Sequence, residues 1–156
     1  SNNIAFASKE VDQELVEEAS KFADVHDNII EFPHGYETVS GERGVTLSGG
    51  QKQRVSIARA YYKQAPVLIL DDSVSAVDVK TEENILHSIM DKCQDTTVIV
   101  VASRVSTVMK LDKIIVLDEG KLVAFDSHDN LMKNSPAYQR MVYLQQLEAE
   151  VEGIVK

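Results

Sequence analysis

The run Leu47-Ser48-Gly49-Gly50-Gln51-Lys52-Gln53-Arg54 sets a hydroxyl and two glycines at what reads as the start of a helix. Helix N-termini leave backbone N–H groups without partners and carry the positive end of the peptide dipole, so they attract anions. Glycines there let a phosphate reach the backbone. A plain Ser-capped helix with flexible glycines accounts for the same residues equally well. Further on, Val67-Leu68-Ile69-Leu70 runs into Asp71-Asp72. Carboxylates at the carboxyl end of a buried parallel strand lie where α/β sheets hold ligands, although a strand ending in Asp is often only a turn.

The elements that must position these groups follow from periodicity. Leu15, Val16, Ala19, Phe22 and Ala23 form the stripe of an amphipathic helix over 11–23, and a shorter helix over 25–31 stops before Pro33. Residues 34–44 hold turn formers without periodicity and read as a loop. Ser48 stands at an N-cap position, and the helix it opens runs to about Tyr62, ahead of Pro66. The apolar run 67–70 predicts a strand buried on both faces. A helix over 79–92, a second strand over 97–102, a short helix near 106–110 and a third strand over 113–117 follow. Asp118-Glu119-Gly120-Lys121 turns into residues 122–125, and the tail is helical, broken by Pro136 and fraying by Glu148. Alternating strands and helices imply an α/β fold with a parallel sheet, and the acidic helical N-terminal third is expected to pack separately.

Composition narrows the classes. The chain has 156 residues, about one domain, with 44% hydrophobic and 26% charged residues. Its longest apolar run, Val98-Ile99-Val100-Val101-Ala102, is far short of the roughly 18–20 residues that span a bilayer. No cationic and apolar leader opens it, and the single Cys93 cannot close an internal disulfide. A transmembrane, secreted or disulfide-stapled protein is therefore not expected. Through Glu42 there are 10 acidic and 2 basic residues, and the rest is nearly neutral, so no basic footprint for nucleic acid is visible.

The string from Leu47 to Arg54 with Ile57-Ala58-Arg59-Ala60 is similar, without a gap, to the signature motif of ATP-binding cassette (ABC) ATPases. Residues 67–72 resemble the Walker B strand, and Ser75-Ala76-Val77-Asp78 resembles the D-loop. Phe32 to Thr38 with Gly41-Glu42-Arg43-Gly44 look like the exporter loop that touches the coupling helices, and residues 112–120 and 127–131 look like the exporter's closing strand and helix. His128 in that last element reads as a cap or surface residue. The resemblance covers nearly the whole chain. It implies a partial P-loop NTPase (RecA-like) parallel sheet with an N-terminal α-helical subdomain, ATP and Mg²⁺ as ligands, and a place at the cytoplasmic face of a membrane exporter. It also implies two partners, the transmembrane domains and a second nucleotide-binding domain. In this reading residues 1–64 form the helical subdomain with the signature helix, 65–135 the end of the ATPase core, and 136–156 a helical tail. Ser48, Gly49, Gly50 and Gln51 would meet the γ-phosphate of a nucleotide held by the partner domain. Asp71 would hold Mg²⁺, and Asp78 would bridge subunits.

Three departures qualify the match. No G-x-x-x-x-G-K-[ST] occurs, so the phosphate cradle and its lysine are missing, as are the adenine-stacking aromatic and the Q-loop. Because Ser1 falls inside the family pattern, the chain reads as the end of a longer one, with no ATP hydrolysis of its own expected. The catalytic Glu after Walker B is Asp72, whose carboxylate is about one methylene short, a misplacement that can cost about 10²-fold in rate. The switch histidine is Ser103, which can donate a hydrogen bond but cannot act as an imidazole. The last two departures, Asp72 and Ser103, resemble the degenerate half of a heterodimeric ABC exporter, against a slow symmetric homodimer. Two alternatives remain: a chromosome-maintenance (SMC-type) ATPase lobe, which would carry a long coiled coil before the signature, and a non-catalytic remnant.

Overall fold

The computed structural model describes residues 1–6, 8–41 and 44–154; Ala7 of the opening apolar run and Glu42 and Arg43 of the expected exporter loop lie outside them. The chain forms two compact units, Ser1–Val101 and Ala102–Lys156.

The first unit holds α1 (Gln13–Phe22), α2 (His26–Ile30), α3 (Gly49–Tyr62), β1 (Val67–Asp71), α4 (Val79–Lys92) and β2 (Thr97–Val101). Local chemistry sets the helix starts. The Asp12 side chain accepts the Leu15 N–H at α1, and Asp78 accepts the Thr81 N–H at α4, each satisfying one donor the first turn leaves over. β1 and β2 pair in parallel, Val67 opposite Thr97 through Asp71 opposite Val101. One buried cluster joins Val16, Ala19 and Phe22 of α1, Ile57 and Ala58 of α3, Leu68 and Leu70 of β1, and Ile85, Leu86 and Ile89 of α4. Each large side chain buried this fully contributes about 1.5–3 kcal/mol. The acidic helical stretch therefore does not pack separately, as its charge suggested: α1 buries its apolar stripe against the signature helix and carries its acids on the other side. Phe22 stacks on Tyr61 at 4.0 Å, and the Tyr61 hydroxyl donates to Glu18 (2.9 Å), which also pairs with Lys92 (3.4 Å).

The strands are not buried on both faces. Leu68 and Leu70 are buried while Val67 and Ile69 are open, Ile69 to 60%, and in β2 Ile99 and Val101 are open in the same alternating way. A pleated strand sends successive side chains to opposite faces, and among the described residues only one face of this pair is covered by helices.

The second unit holds α5 (Val105–Val108), β3 (Ile114–Asp118), β4 (Lys121–Asp126), α6 (His128–Asn134) and α7 (Pro136–Ile154) around Val105, Ile114, Val116, Leu131, Tyr138 and Val142. β3 does not extend the parallel pair. It forms an antiparallel hairpin with β4 through Glu119 (φ 46°) and Gly120 (φ 74°), two successive left-handed residues that suit a two-residue hairpin turn. α7 continues to Ile154, past the polar residues at which fraying was expected.

Candidate functional site

The tip of α3 is built by a reciprocal cap. The Ser48 hydroxyl accepts the Gln51 N–H (3.2 Å), and the Gln51 side-chain oxygen accepts the Ser48 N–H (3.0 Å). This capping box was present in the sequence as Ser-x-x-Gln, a signal that fixes the helix start more firmly than Ser48 alone. The Lys52 N–H goes to the Ser48 carbonyl. The cap thus uses the third and fourth N–H groups of the helix and leaves those of Gly49 and Gly50 over. The first turn contains no acid. The Ser48 hydroxyl hydrogen remains a donor, so the tip can offer a hydroxyl and two backbone N–H groups to an anion.

The two glycines differ. A Cβ at Gly49 would meet nothing within 4 Å, whereas one at Gly50 would stand 2.9 Å from the Ala76 carbonyl oxygen. Gly49 keeps open approach to the backbone, and Gly50 lets the helix lie against residues 76–77.

Asp71 and Asp72 stand exposed at the carboxyl end of β1, where the register opposes Asp71 to Val101. The Asp71 carbonyl accepts the Ser73 hydroxyl (3.2 Å), and the Asp72 N–H donates to the Val101 carbonyl (3.0 Å). Asp72 sits at φ 49°, a left-handed conformation that Asp tolerates better than most side chains. Asp78 closes the following loop with both carboxylate oxygens, one on the Thr81 N–H (3.0 Å) and one on the Thr81 hydroxyl (2.8 Å). The structure thus gathers Ser48–Gln51 and the 71–78 loop into one unit; Ser103 belongs to the other. There the exposed Ser103 offers its carbonyl to Gln145 Nε2 (2.6 Å), while Gln145 Oε1 accepts the Val105 N–H (2.7 Å), so one glutamine of α7 staples the turn into α5. His128 Nδ1 lies 2.9 Å from the Tyr138 hydroxyl and serves packing within the unit. Gln53 lies inside the signature string, yet nothing in that string says what its amide meets, and Gln145 carried no sequence signal, since a lone glutamine on a helix is ordinary.

Charge at the loop ends makes one test accessible. The Thr81 backbone bond, then its hydroxyl bond, hold the Asp78 carboxyl below the usual value. The Lys113 hydrogen bond, then the Ser127 N–H, draw Asp126 down to about 2. Folded values below the unfolded ones mean stabilisation that is whole above the ordinary carboxylate range and fades as the pH falls, for Asp126 through about 2. Carboxyl carbon shifts followed against pH are expected to show both groups titrating below the ordinary aspartate value. Midpoints at the ordinary value would remove both bonds from the account.

A family model described as ABC transporter matches residues 2–75. The multidrug resistance-like ATP-binding protein MdlA of Escherichia coli (strain K12) is 46% identical over 151 residues, which are 97% of this chain and 26% of that protein. The ATP-dependent lipid A-core flippase of Saccharophagus degradans is 42% identical over 143 residues, 92% of this chain and 24% of the flippase. A solved bacterial Atm1-family ABC exporter with ATP bound matches with a TM-score of 0.85 at 40% identity, covering 92% of this chain and 25% of its own. The chain spans about a quarter of the length of the relatives it matches. Among the described residues no helix is long and apolar enough to cross a membrane. With a capped Ser-Gly-Gly-Gln helix tip set against a strand that ends in paired aspartates, and with these relatives aligned along nearly its whole length, the chain belongs to the ABC transporter family, in its ATP-binding part.

Proposed function

We propose that these residues are the C-terminal portion of a nucleotide-binding domain in an ABC exporter, working at the cytoplasmic face of the membrane and coupled to transmembrane domains. The division into a helical subdomain (1–64), the end of the ATPase core (65–135) and a helical tail (136–156) belongs to this reading. The observation that carries it is the α3 tip, where the cap leaves the Gly49 and Gly50 N–H groups and the Ser48 hydroxyl as donors beside an open approach. That tip suits the terminal phosphate of an ATP whose remaining phosphates are held outside these 156 residues, among which no G-x-x-x-x-G-K-[ST] occurs. The relatives' names support export of drug-like or lipid-like molecules.

Magnesium commonly takes one or two carboxylates and fills its other positions with water and phosphate oxygens. Exposed Asp71, with Asp72 beside it, fits that role. Among the described residues no cluster of three His, Cys, Asp or Glu side chains would build an all-protein site. The ion supplies charge neutralisation on the phosphates when bound. Asp72 orients the attacking water at a shortened reach, and Ser103 takes the family's switch-histidine position in sequence with a hydroxyl that can donate a hydrogen bond. Asp78 meets the partner domain from the end of the loop it caps. An Asp for the catalytic Glu and a Ser for the switch histidine, in a sequence whose signature is intact, support the degenerate subunit of a heterodimer, whose signature completes the partner's competent site.

The test is ATP hydrolysis by the assembled full-length pair carrying Asp72→Glu. Turnover is expected to rise or stay level, because the longer carboxylate restores reach at a position whose left-handed backbone costs Glu about 1 kcal/mol. A collapse would overturn the degenerate-site assignment. The 156-residue chain alone is expected to show no hydrolysis.

A further inference from the structure

Gln53 uses both ends of its amide on the loop that carries Asp72. Its Nε2 donates to the Asp72 carbonyl (3.3 Å) and to the Ser75 hydroxyl oxygen (3.1 Å), and its Oε1 accepts the Ala76 N–H (3.0 Å). The Asp72 carbonyl also accepts the Ser75 hydroxyl (3.0 Å), so it is the point where the loop folds onto itself and onto α3. On its other side the Asp72 N–H is held by the Val101 carbonyl. A residue in a left-handed conformation is thus fixed fore and aft, once by the end of β2 and once by the signature helix.

A second observation lies one turn earlier on the same helix face. Gly50, three residues before Gln53, is where a Cβ would come 2.9 Å from the Ala76 carbonyl and 3.6 Å from Val77 Cγ1. The two positions together press the first turn of α3 flat against residues 72–77. Gly49 and Gly50 of that same turn present the N–H groups described above. A displacement of the tip therefore moves Gln53 and, through it, the backbone of Asp72.

We propose that Gln53 is a positioning residue that ties the phosphate-facing tip of α3 to the Asp72 loop, so that engagement of the tip by one nucleotide sets the carboxylate serving the other. This rests on the reading of the tip as a contact to the partner's nucleotide. The link itself does not, because every bond in it lies within this chain. A glutamine with only a packing role would affect stability and leave the division between binding and turnover alone.

The experiment uses the full-length transporter with its partner subunit and compares Gln53→Ala and Gln53→Glu with the parent. Amide exchange of residues 72–77 without nucleotide reads the link, and ATP hydrolysis reads its consequence. Gln53→Ala is expected to speed exchange at Ala76 about 10-fold, the loss of one hydrogen bond. Because the same link holds the first turn of α3, whose tip completes the partner's competent site, the substitution is expected to lower kcat about 10-fold with the ATP KM within about twofold, the mark of lost positioning rather than lost binding. Gln53→Glu keeps the acceptor for the Ala76 N–H, so it is expected to retain that protection and fall between the other two in kcat. Gln53 is half-buried. If the alanine variant fails to assemble, the glutamate variant carries the test, and a kcat equal to the parent's overturns the proposal. Unchanged exchange at Ala76 in Gln53→Ala, or lost protection with kcat unchanged, overturns it as well. Gly49→Asp in the same assay separates the two readings: if turnover survives that substitution, the phosphate-facing tip is wrong, whatever Gln53 does.

Discussion

Gly49→Asp is expected to reduce ATP turnover of the assembled transporter by at least about 10²-fold while leaving the fold as stable as before or slightly more so. The two effects separate because they draw on different physics. A Cβ at Gly49 meets nothing within 4 Å, so the new side chain leaves the backbone into open space. A carboxylate in the first turn of a helix interacts favourably with the dipole, worth about 0.3–1 kcal/mol at an exposed site, and the first turn of α3 has no acid already there. The same charge stands where a terminal phosphate would arrive. Two unit negative charges about 4 Å apart repel by about 4 kcal/mol at an effective dielectric of 20, close to three decades in an equilibrium or rate. Thermal unfolding and steady-state hydrolysis on the same preparation check both halves. Equal loss of stability and activity would mean that Gly49 has a structural duty the geometry does not show. Retained activity would mean that no phosphate reaches the tip.

What could be read from sequence here is what local chemistry decides. Ser48 and Asp78 stop the chain in an extended conformation and hand their side chains to N–H groups three residues on, so α3 and α4 begin where their caps require. The aspartates at the end of β1 follow a run of apolar residues too short for a helix. Residues distant in sequence decide the rest. Alternation along β1 and β2 was invisible because both faces carry apolar side chains, Leu68 and Leu70 on one and Val67 and Ile69 on the other. β3 reads like a third parallel strand by composition, yet the left-handed pair Glu119-Gly120 brings β4 directly back onto it. The difference between Gly49 and Gly50 depends on Ala76, some two dozen residues later, and the amide of Gln53 finds its partners in the same loop. In the signature string one glycine leaves the backbone open to approach and its neighbour serves contact within the chain, a distinction that adjacency hides.

That distinction predicts opposite outcomes for adjacent substitutions. Gly50→Val is expected to destabilise the protein by about 1–3 kcal/mol, the usual range for forcing extra atoms into a packed contact. Gly49→Ala is expected to be neutral or to gain up to about 1 kcal/mol, since alanine is the better helix former and the site is open. The sign at Gly50 turns on what the new atom meets. A flexible side-chain end could swing away, but the Ala76 carbonyl belongs to a backbone whose N–H is held by Gln53 and whose neighbour Val77 is buried. Relief therefore requires α3 to tilt or the 72–77 loop to move, and either displaces Asp72. The branched valine also loses side-chain freedom against the first turn, which a second substitution, Gly50→Ala, isolates by adding the Cβ alone. Denaturation midpoints of the three variants against the parent, with amide exchange of residues 72–77, check the ordering Gly49→Ala, Gly50→Ala, Gly50→Val from most to least stable. If both alanine variants gain equally, the close approach of α3 to Ala76 is absent in solution, and the coupling between helix tip and aspartate loop loses its mechanical basis.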